Sequence, residues 1–418
     1  MTSFRFIHCS DLHIDSPFKG MRSVQPEWSN KLRASTFRSF QNIVQLAIDE
    51  KVDAVIIAGD IYDGSDKSLQ AQLKFHQGLT DLSNAGIASY IVHGNHDPLD
   101  SRFATLEWPE LVTVFSGNEV ERHALQRPGK LPTHIYGISY PTRDVKKNLA
   151  LKFEKISAEG FAIGVLHTNV GNNPEHGDYA PCSLEDLVSR KMDYWALGHI
   201  HSYQVLRDHD PAIVYSGNTQ ARHKNETGQK GCCLVTLHEK SPPEIQFIPT
   251  DTIRFINDTL DLSQSQSLDE VIESIRSRCL MLASGADGRD AIVHLTLTGR
   301  CEVHDELRQT SAVEDLTANI QSSFEGRTPA LSVNLRVKTQ GTYDVEALKR
   351  GNDFIADLLS LYESVEKQEG TDLLKQALSP LYENWAGSKY LEELSTDNLQ
   401  DLLLQARNLT LDQLVQGE

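Results

Sequence analysis

The stretch VIIAGDIYD, Val55 to Asp63, constrains most strongly what this chain can fold into. Five small or apolar residues, Val55 to Gly59, run straight into Asp60. An apolar run without alternation predicts a strand covered on both faces, as in a parallel sheet flanked by helices. In open α/β sheets, ligands sit beyond the carboxyl ends of the strands. Asp60 therefore stands where chemistry is expected.

Four other segments place metal-type ligands directly behind apolar runs: Asp11-Leu12-His13, Gly94-Asn95-His96-Asp97, His167, and Gly198-His199-Ile200-His201. In extended chain, residues i and i+2 point the same way, so Asp11 and His13 are expected to approach one ion together, as are His199 and His201. Glycines at 59, 94 and 198 let the backbone turn sharply and come close to an ion. Imidazole, carboxylate and amide donors without a thiolate favour Mn, Fe or Zn. Two dications about 4 Å apart repel strongly. Two unit charges at that distance cost about 4 kcal/mol at an effective dielectric near 20, and doubly charged ions about four times that. A carboxylate can bridge such a pair and an imidazole cannot, so Asp60 is the expected bridge, with a shared water as nucleophile for a phosphodiester. Each motif alone has an ordinary reading; GNHD, for example, is also a turn capped by Asn and Asp. All five in this order, each behind an apolar run, argue for a site.

Strand and helix signals alternate through the first part of the chain. Strands are expected at FRFIHCS, DAVIIAG, ASYIVHG, 133–139, 160–167, 194–198, 212–216, 232–237 and 244–248, with helices over 30–50 and 69–85. This predicts an α/β fold, a four-layer α/β/β/α sandwich. SPPEIQFIPTD, with three prolines, marks its end. Residues 1–251 form this domain, 252–340 a small α+β domain, and 341–418 a helical tail with apolar stripes that suit a local helical hairpin or a docking surface.

At 418 residues, two or three domains are expected. No export signal and no membrane-length apolar run is present, and six cysteines are scattered without a CxxC pair, so a cytoplasmic setting is expected. The net charge of −18 is unusual for a nucleic-acid enzyme, but residues 341–418 carry 15 acids against 6 bases and so hold half of the excess. Charge argues against tight non-specific DNA binding by this chain alone.

The order DxH, GDxxD, GNHD, H, GHxH resembles the calcineurin-like metallophosphoesterases over roughly Phe4 to Thr250. DLHIDSPF, VIIAGDIYDG, YIVHGNHDP, VLHTNVG, DYAPCSLEDL, DYWALGHIHSYQVL and VYSGNTQARHKNETGQKG resemble the SbcD-type DNA repair exonucleases, nearest to their YhaO branch. The resemblance implies two divalent metal ions, Mn first and Fe or Zn next. One would be held by Asp11, His13, Asp60 and His201, the other by Asp60, Asn95, His167 and His199. It implies that His96 contacts the phosphate or protonates the leaving oxygen, with Asp97 orienting its ring. It also implies a capping domain over DNA, an SbcC-like coiled-coil ATPase as partner of the tail, a homodimer, and no membrane. Two places depart from the pattern. Double-strand-break nucleases often carry histidine where Asp63 stands, which leaves Asp63 with no direct metal role here and the loop 64–68 without an assigned job. Phosphatases of the superfamily carry arginine where Gly64 stands, which counts against a phosphatase.

Arg222, His223 and Lys224 follow SGNTQ and are candidate contacts to backbone phosphates; His176 and Asp178 are weaker candidates. His93 is expected to pack behind the site. The leading expectation is a DNA exonuclease subunit hydrolysing phosphodiesters. The alternatives are a phosphodiesterase or phosphatase of small phosphorylated molecules, and a scaffold with a relic site, against which the full ligand set argues.

Overall fold

The computed structural model describes residues 3–16, 26–64, 68–101, 103–156, 159–171, 177, 179–383 and 394–415. His176, Asp178 and residues 65–67 of the loop after Asp63 lie outside them.

Two six-stranded mixed sheets dominate the N-terminal part. The first contains β1 (Ser3–Cys9), β2 (Ala54–Ala58), β3 (Ala88–Val92), β4 (Val112–Val114), β11 (Gly231–His238) and β12 (Glu244–Pro249), in the order β12-β11-β1-β2-β3-β4. β1 to β4 are parallel, and β11 and β12 are added antiparallel at one edge. The second contains β5 (Glu121–Leu125), β6 (Thr133–Gly137), β7 (Phe161–His167), β8 (Tyr194–Gly198), β9 (Gln204–Arg207) and β10 (Ala212–Tyr215), in the order β5-β6-β7-β8-β10-β9. Its four central strands are parallel and its two edges antiparallel.

Every residue of β2 is buried because its two faces meet different partners. Ile56 and Ala58 join Phe6, Tyr90, Ile163, Val165 and Val214 in the layer between the sheets. Val55 and Ile57 face the opposite way, onto two helices, α1 (Pro26–Asp49) and α2 (Leu69–Asn84). Fully burying one such isoleucine is worth about 1.5–3 kcal/mol, so a strand apolar on both faces gains most in a middle layer. The helices follow their own periodicity. Ala71, Phe75, Leu79 and Leu82 give α2 one buried stripe, and the Ser68 hydroxyl caps it by accepting from the Ala71 N–H at 3.0 Å. The outer face of the second sheet carries Trp195, Leu197 and Tyr215 against the segment 140–153 and the short α3 (Leu184–Ser189). The expected four layers are present, with a fourth that is loop-rich and, among the described residues, contains the six-residue α3.

The short strands β4, β5 and β9 were not anticipated; their partly exposed residues lack a continuous apolar run. All six cysteines are buried and free.

Three further strands, β13 (Ile253–Asp261), β14 (Asp290–Thr298) and β15 (Leu331–Val337), form a three-stranded sheet accompanied in sequence by α4 (Leu268–Ser284), α5 (His304–Leu307) and α6 (Thr310–Ser322). The chain divides into two compact units, 1–257 with 281–294 and 324–332, and 258–280 with 295–323 and 333–418. Each of these strands begins in the first unit and ends in the second. The second unit continues through α7 (Val345–Lys349), α8 (Phe354–Glu366), α9 (Gln368–Glu383) and α10 (Thr396–Leu414). α8 and α10 are joined by the Tyr362–Thr410 hydroxyl pair at 3.1 Å and by Arg407 to Glu366 at 3.4 Å.

Candidate metal centre

The carboxyl ends of β1, β2 and β3 in one sheet meet those of β7 and β8 in the other. The Asp11 N–H donates to the Gly59 carbonyl at 3.0 Å, and the His199 N–H donates to the Asp11 carboxylate at 3.1 Å. The expected reason for pairing Asp11 with His13 and His199 with His201 was extended backbone. The structure replaces it: β1 ends at Cys9 and β8 at Gly198, and the ligands lie beyond, with φ of +51° at Asp11, +42° at His13, +52° at Asp60 and +103° at His199. Such conformations cost about 1–3 kcal/mol each in a non-glycine residue and persist only where the surroundings impose them. The side chains converge because the chain turns sharply after each strand. Gly94 has a different task, since a Cβ there would overlap the Asp60 Oδ1.

Three clusters of ligand atoms, each within 4.8 Å, result: Asp11 with His13 and His201; Asp11 with Asp60 and His167; and His13 with Asp63 and His96. Asp60 Oδ2 stands between two imidazoles, 3.9 Å from His13 Nε2 and 3.4 Å from His167 Nε2. Asn95 Oδ1 lies 3.0 Å from the same His167 nitrogen. His201 Nε2 is 3.3 Å from His13 Nε2 and 3.7 Å from Asp11 Oδ1. His199 joins none of these clusters. Its ring packs edge-on to His167 at 5.2 Å, and its Nε2 lies 3.2 Å from the Gly177 carbonyl.

Partners behind the histidines set which nitrogen is available. The Ala58 carbonyl accepts from His167 Nδ1 at 2.9 Å, and Glu226 Oε1 accepts from His201 Nδ1 at 2.6 Å, which leaves Nε2 of both rings facing the cluster. Glu226 was missed in the sequence; its only signal was a lone acid in the basic loop ARHKNETGQK. Burial pushes the Glu226 carboxyl up, but the bond to His201 and the Arg222 N–H at 2.6 Å bring it down to about 2. Burial would likewise raise Asp60, yet His167, His13 and His96 hold it well below the ordinary carboxylate range. Burial favours neutral His167, whereas Asp60 and Asp11 raise it to about 9. This buried pocket therefore recruits positive charge. With convergent N and O donors, and with His13 Nδ1 buried and unpartnered, it fits divalent cations.

The expected pairing of Asp97 with His96 is corrected. Asp97 accepts from the Ile61 N–H at 3.0 Å and the Gly94 N–H at 2.9 Å, and lies 3.1 Å from His93 Nδ1, so it ties the two ligand loops together and His93 packs behind them. Asp63 takes the other task, with Oδ1 2.6 Å from His96 Nδ1. The reason is direction: Asp97 is buried completely and turned back toward β3, while Asp63, three residues past Asp60, sits on the open side. Asp63 Oδ2 also accepts from Ser16 Oγ at 2.8 Å and Arg222 Nη1 at 3.0 Å. Of the three basic candidates, Arg222 reaches the site. The His223 ring accepts from the Asn225 N–H, and the Lys224 carbonyl accepts from Asn257; no contact of either with the ligand cluster is seen among the described residues.

Comparison with known proteins agrees with this geometry. The calcineurin-like phosphoesterase model matches residues 4–203, and the middle domain of metallophosphoesterase YhaO matches 255–340. The chain is 24% identical to the DNA double-strand break repair protein Mre11 of Methanosarcina mazei, over 65% of this chain and 44% of that protein. It is 23% identical to the Mre11 of Sulfolobus acidocaldarius, over 85% and 90%. The uncharacterized metallophosphoesterase YhaO of Bacillus subtilis is 35% identical over 72% of each chain. With that degree of identity along most of both sequences, this chain belongs to the calcineurin-like metallophosphoesterases.

Proposed function

We propose that this chain is a two-metal nuclease that removes nucleotides from DNA ends by phosphodiester hydrolysis, with Mn the first choice of ion. The observation that carries this reading is Asp60, buried with its Oδ2 between the imidazoles of His13 and His167. Asp11, His13, Asp60 and His201 would hold one cation, and Asp60, Asn95 and His167 the other, with His199 beside it. When bound, the cations supply Lewis-acid charge to the phosphoryl group and lower the pKa of a water toward 7. His96, about a quarter exposed, presents Nε2 to the substrate because Nδ1 is held by Asp63. It gives a proton to the leaving oxygen. Ser16 and Arg222 hold Asp63 in turn.

The Mre11 relatives support DNA as substrate. In this reading, 252–340 caps the DNA, the helices of 341–418 dock an SbcC-like coiled-coil ATPase, the chain works as a homodimer, and the setting is cytoplasmic. Among the described residues, no helix is long and apolar enough to cross a membrane.

The test is end-labelled linear DNA with Mn, with and without a co-purified ATPase. Asp60→Asn removes the shared negative charge and is expected to abolish cleavage. Wild-type degradation by that variant after metal titration would sink the bridging role. Turnover of mononucleotides or bis-p-nitrophenyl phosphate with intact DNA would replace a nuclease with a small-molecule esterase.

A further inference from the structure

One cation beside the ligand cluster is only partly committed. Arg222 gives Nη1 to two acceptors, Asp63 Oδ2 at 3.0 Å and Ser16 Oγ at 3.1 Å. Its Nε is buried without a partner, whereas Nη2 is neither buried nor hydrogen-bonded among the described residues. We propose that Arg222 is a catalytic residue whose Nη2 donates to a non-bridging oxygen of the scissile phosphodiester.

An arginine that serves structure alone closes its fork on one carboxylate. Arg254 does so in this chain, with Nε 3.2 Å and Nη2 3.3 Å from the two oxygens of Asp251. Arg222 makes no such fork. Asp63 and Ser16 engage the same nitrogen, so the guanidinium is fixed in place while Nη2 stays open. Its backbone is fixed too, because the Arg222 N–H donates to Glu226 Oε2 at 2.6 Å and Glu226 also holds His201. A donor seated before the substrate arrives costs no reorganisation during reaction, the condition under which it stabilises developing charge most.

Asp63 also decides what stands next to Arg222. Its Oδ1 is 2.6 Å from His96 Nδ1 while its Oδ2 takes Arg222, so one carboxylate seats an imidazole and a guanidinium side by side. Burial pushes that carboxyl up, but His96 and Arg222 hold it well below the ordinary range, so it stays ionised and keeps both in place. Burial lowers the His13 imidazole and the Arg222 charge lowers it further, which puts the guanidinium within electrostatic reach of a metal ligand. A phosphate at the ligand cluster then meets two donors on this side, His96 at the leaving oxygen and Arg222 at a non-bridging one. A charge-assisted bond to that oxygen strengthens as negative charge builds on it.

The inference rests on phosphodiester hydrolysis at the metal centre but not on DNA as the substrate. The full chain, loaded with Mn, is assayed on bis-p-nitrophenyl phosphate and titrated with inorganic phosphate in a calorimeter. Arg222→Gln is expected to lower kcat about a hundredfold and to weaken phosphate about tenfold, with metal content and circular dichroism spectrum unchanged. Arg222→Lys keeps the charge but cannot serve Asp63 and phosphate from separate nitrogens of one rigid plane, and should fall between. Should Arg222→Gln not fold, Arg222→Lys carries the same comparison. Asp63→Asn separates contact from support. If Arg222 acted only by holding Asp63, adding Arg222→Gln to Asp63→Asn would cost nothing further, whereas direct contact costs about another tenfold. Arg222→Gln with wild-type kcat and phosphate affinity overturns the proposal, as does a double variant no slower than Asp63→Asn. A wild-type chain that binds phosphate but leaves the diester and DNA intact overturns the hydrolase reading instead, and the phosphate affinity of Arg222→Gln still decides the contact.

Discussion

The geometry separates two aspartates that are easily confused, and their asparagine variants should fail in different ways. Asp63 receives His96 Nδ1 at 2.6 Å, Ser16 at 2.8 Å and Arg222 at 3.0 Å. It is 12% exposed and His96 28%, so solvent weakens the pair only in part. A charge-assisted hydrogen bond of this kind contributes about 1.5–3 kcal/mol, which converts to a rate loss of about ten- to a hundredfold if it acts in the transition state. Asp63→Asn should therefore lower kcat for bis-p-nitrophenyl phosphate by that factor, with metal content and thermal stability nearly unchanged. The pH profile should move as well. Burial lowers the His96 pKa, but Asp63 and Asp60 raise it above its ordinary value. A group that must be protonated loses function as pH rises through its pKa. Removing the Asp63 charge lowers that pKa, so the basic limb of the variant should fall at lower pH than the wild type's. Asp97→Asn should show the reverse balance: weakened acceptance from the Ile61 and Gly94 N–H groups costs about 1–3 kcal/mol of stability before it costs chemistry. A full-rate Asp63→Asn enzyme, or an Asp97→Asn enzyme that is equally stable and inactive, would refute the assignment of His96 to Asp63.

Two other outcomes follow from the buried groups. Glu226→Gln keeps shape but weakens the grip on His201 Nδ1, and should reduce metal affinity about ten- to a hundredfold by titration of metal-depleted protein; unchanged affinity would show that Glu226 does not support the ligand. His8 lies between the sheets, 3.0 Å from the Tyr194 hydroxyl, and burial pushes its imidazole down to about 3. The unfolded chain takes up that proton below about pH 6.5 and the folded chain does not until about 3, so stability falls as pH drops through this window. The contribution approaches about 1.4 kcal/mol per pH unit well below 6.5, and His8→Gln should flatten the urea midpoint between pH 6 and 4; an equally steep decline in the variant would place the loss elsewhere.

The candidate ligands were legible because they are spaced along the chain in a way that local chemistry imposes. A buried parallel strand must be apolar, and the residue behind it is the first that can afford polarity, so Asp60 after VIIAG and His167 after GFAIGVL advertise themselves. Partners supplied by loops carry no such marker. Glu226, Ser16 and the Arg222 guanidinium reach the site from turns whose paths depend on packing, and nothing in ARHKNETGQK distinguishes the acid that meets His201.

The sequence by itself determined the two-faced burial of the central strands, the approximate extent of the larger helices, and the set of donors gathered beyond the strand ends. Those properties follow from the period of side-chain exposure and from the expense of burying unpaired polar groups. Tertiary structure decided which donors face one another. It placed Asp63 rather than Asp97 on His96, put the ligands in left-handed turns rather than extended chain, and set Glu226 behind His201. Pairing at this scale depends on directions fixed where two sheets meet, and a sequence records neighbours along the chain, not across it.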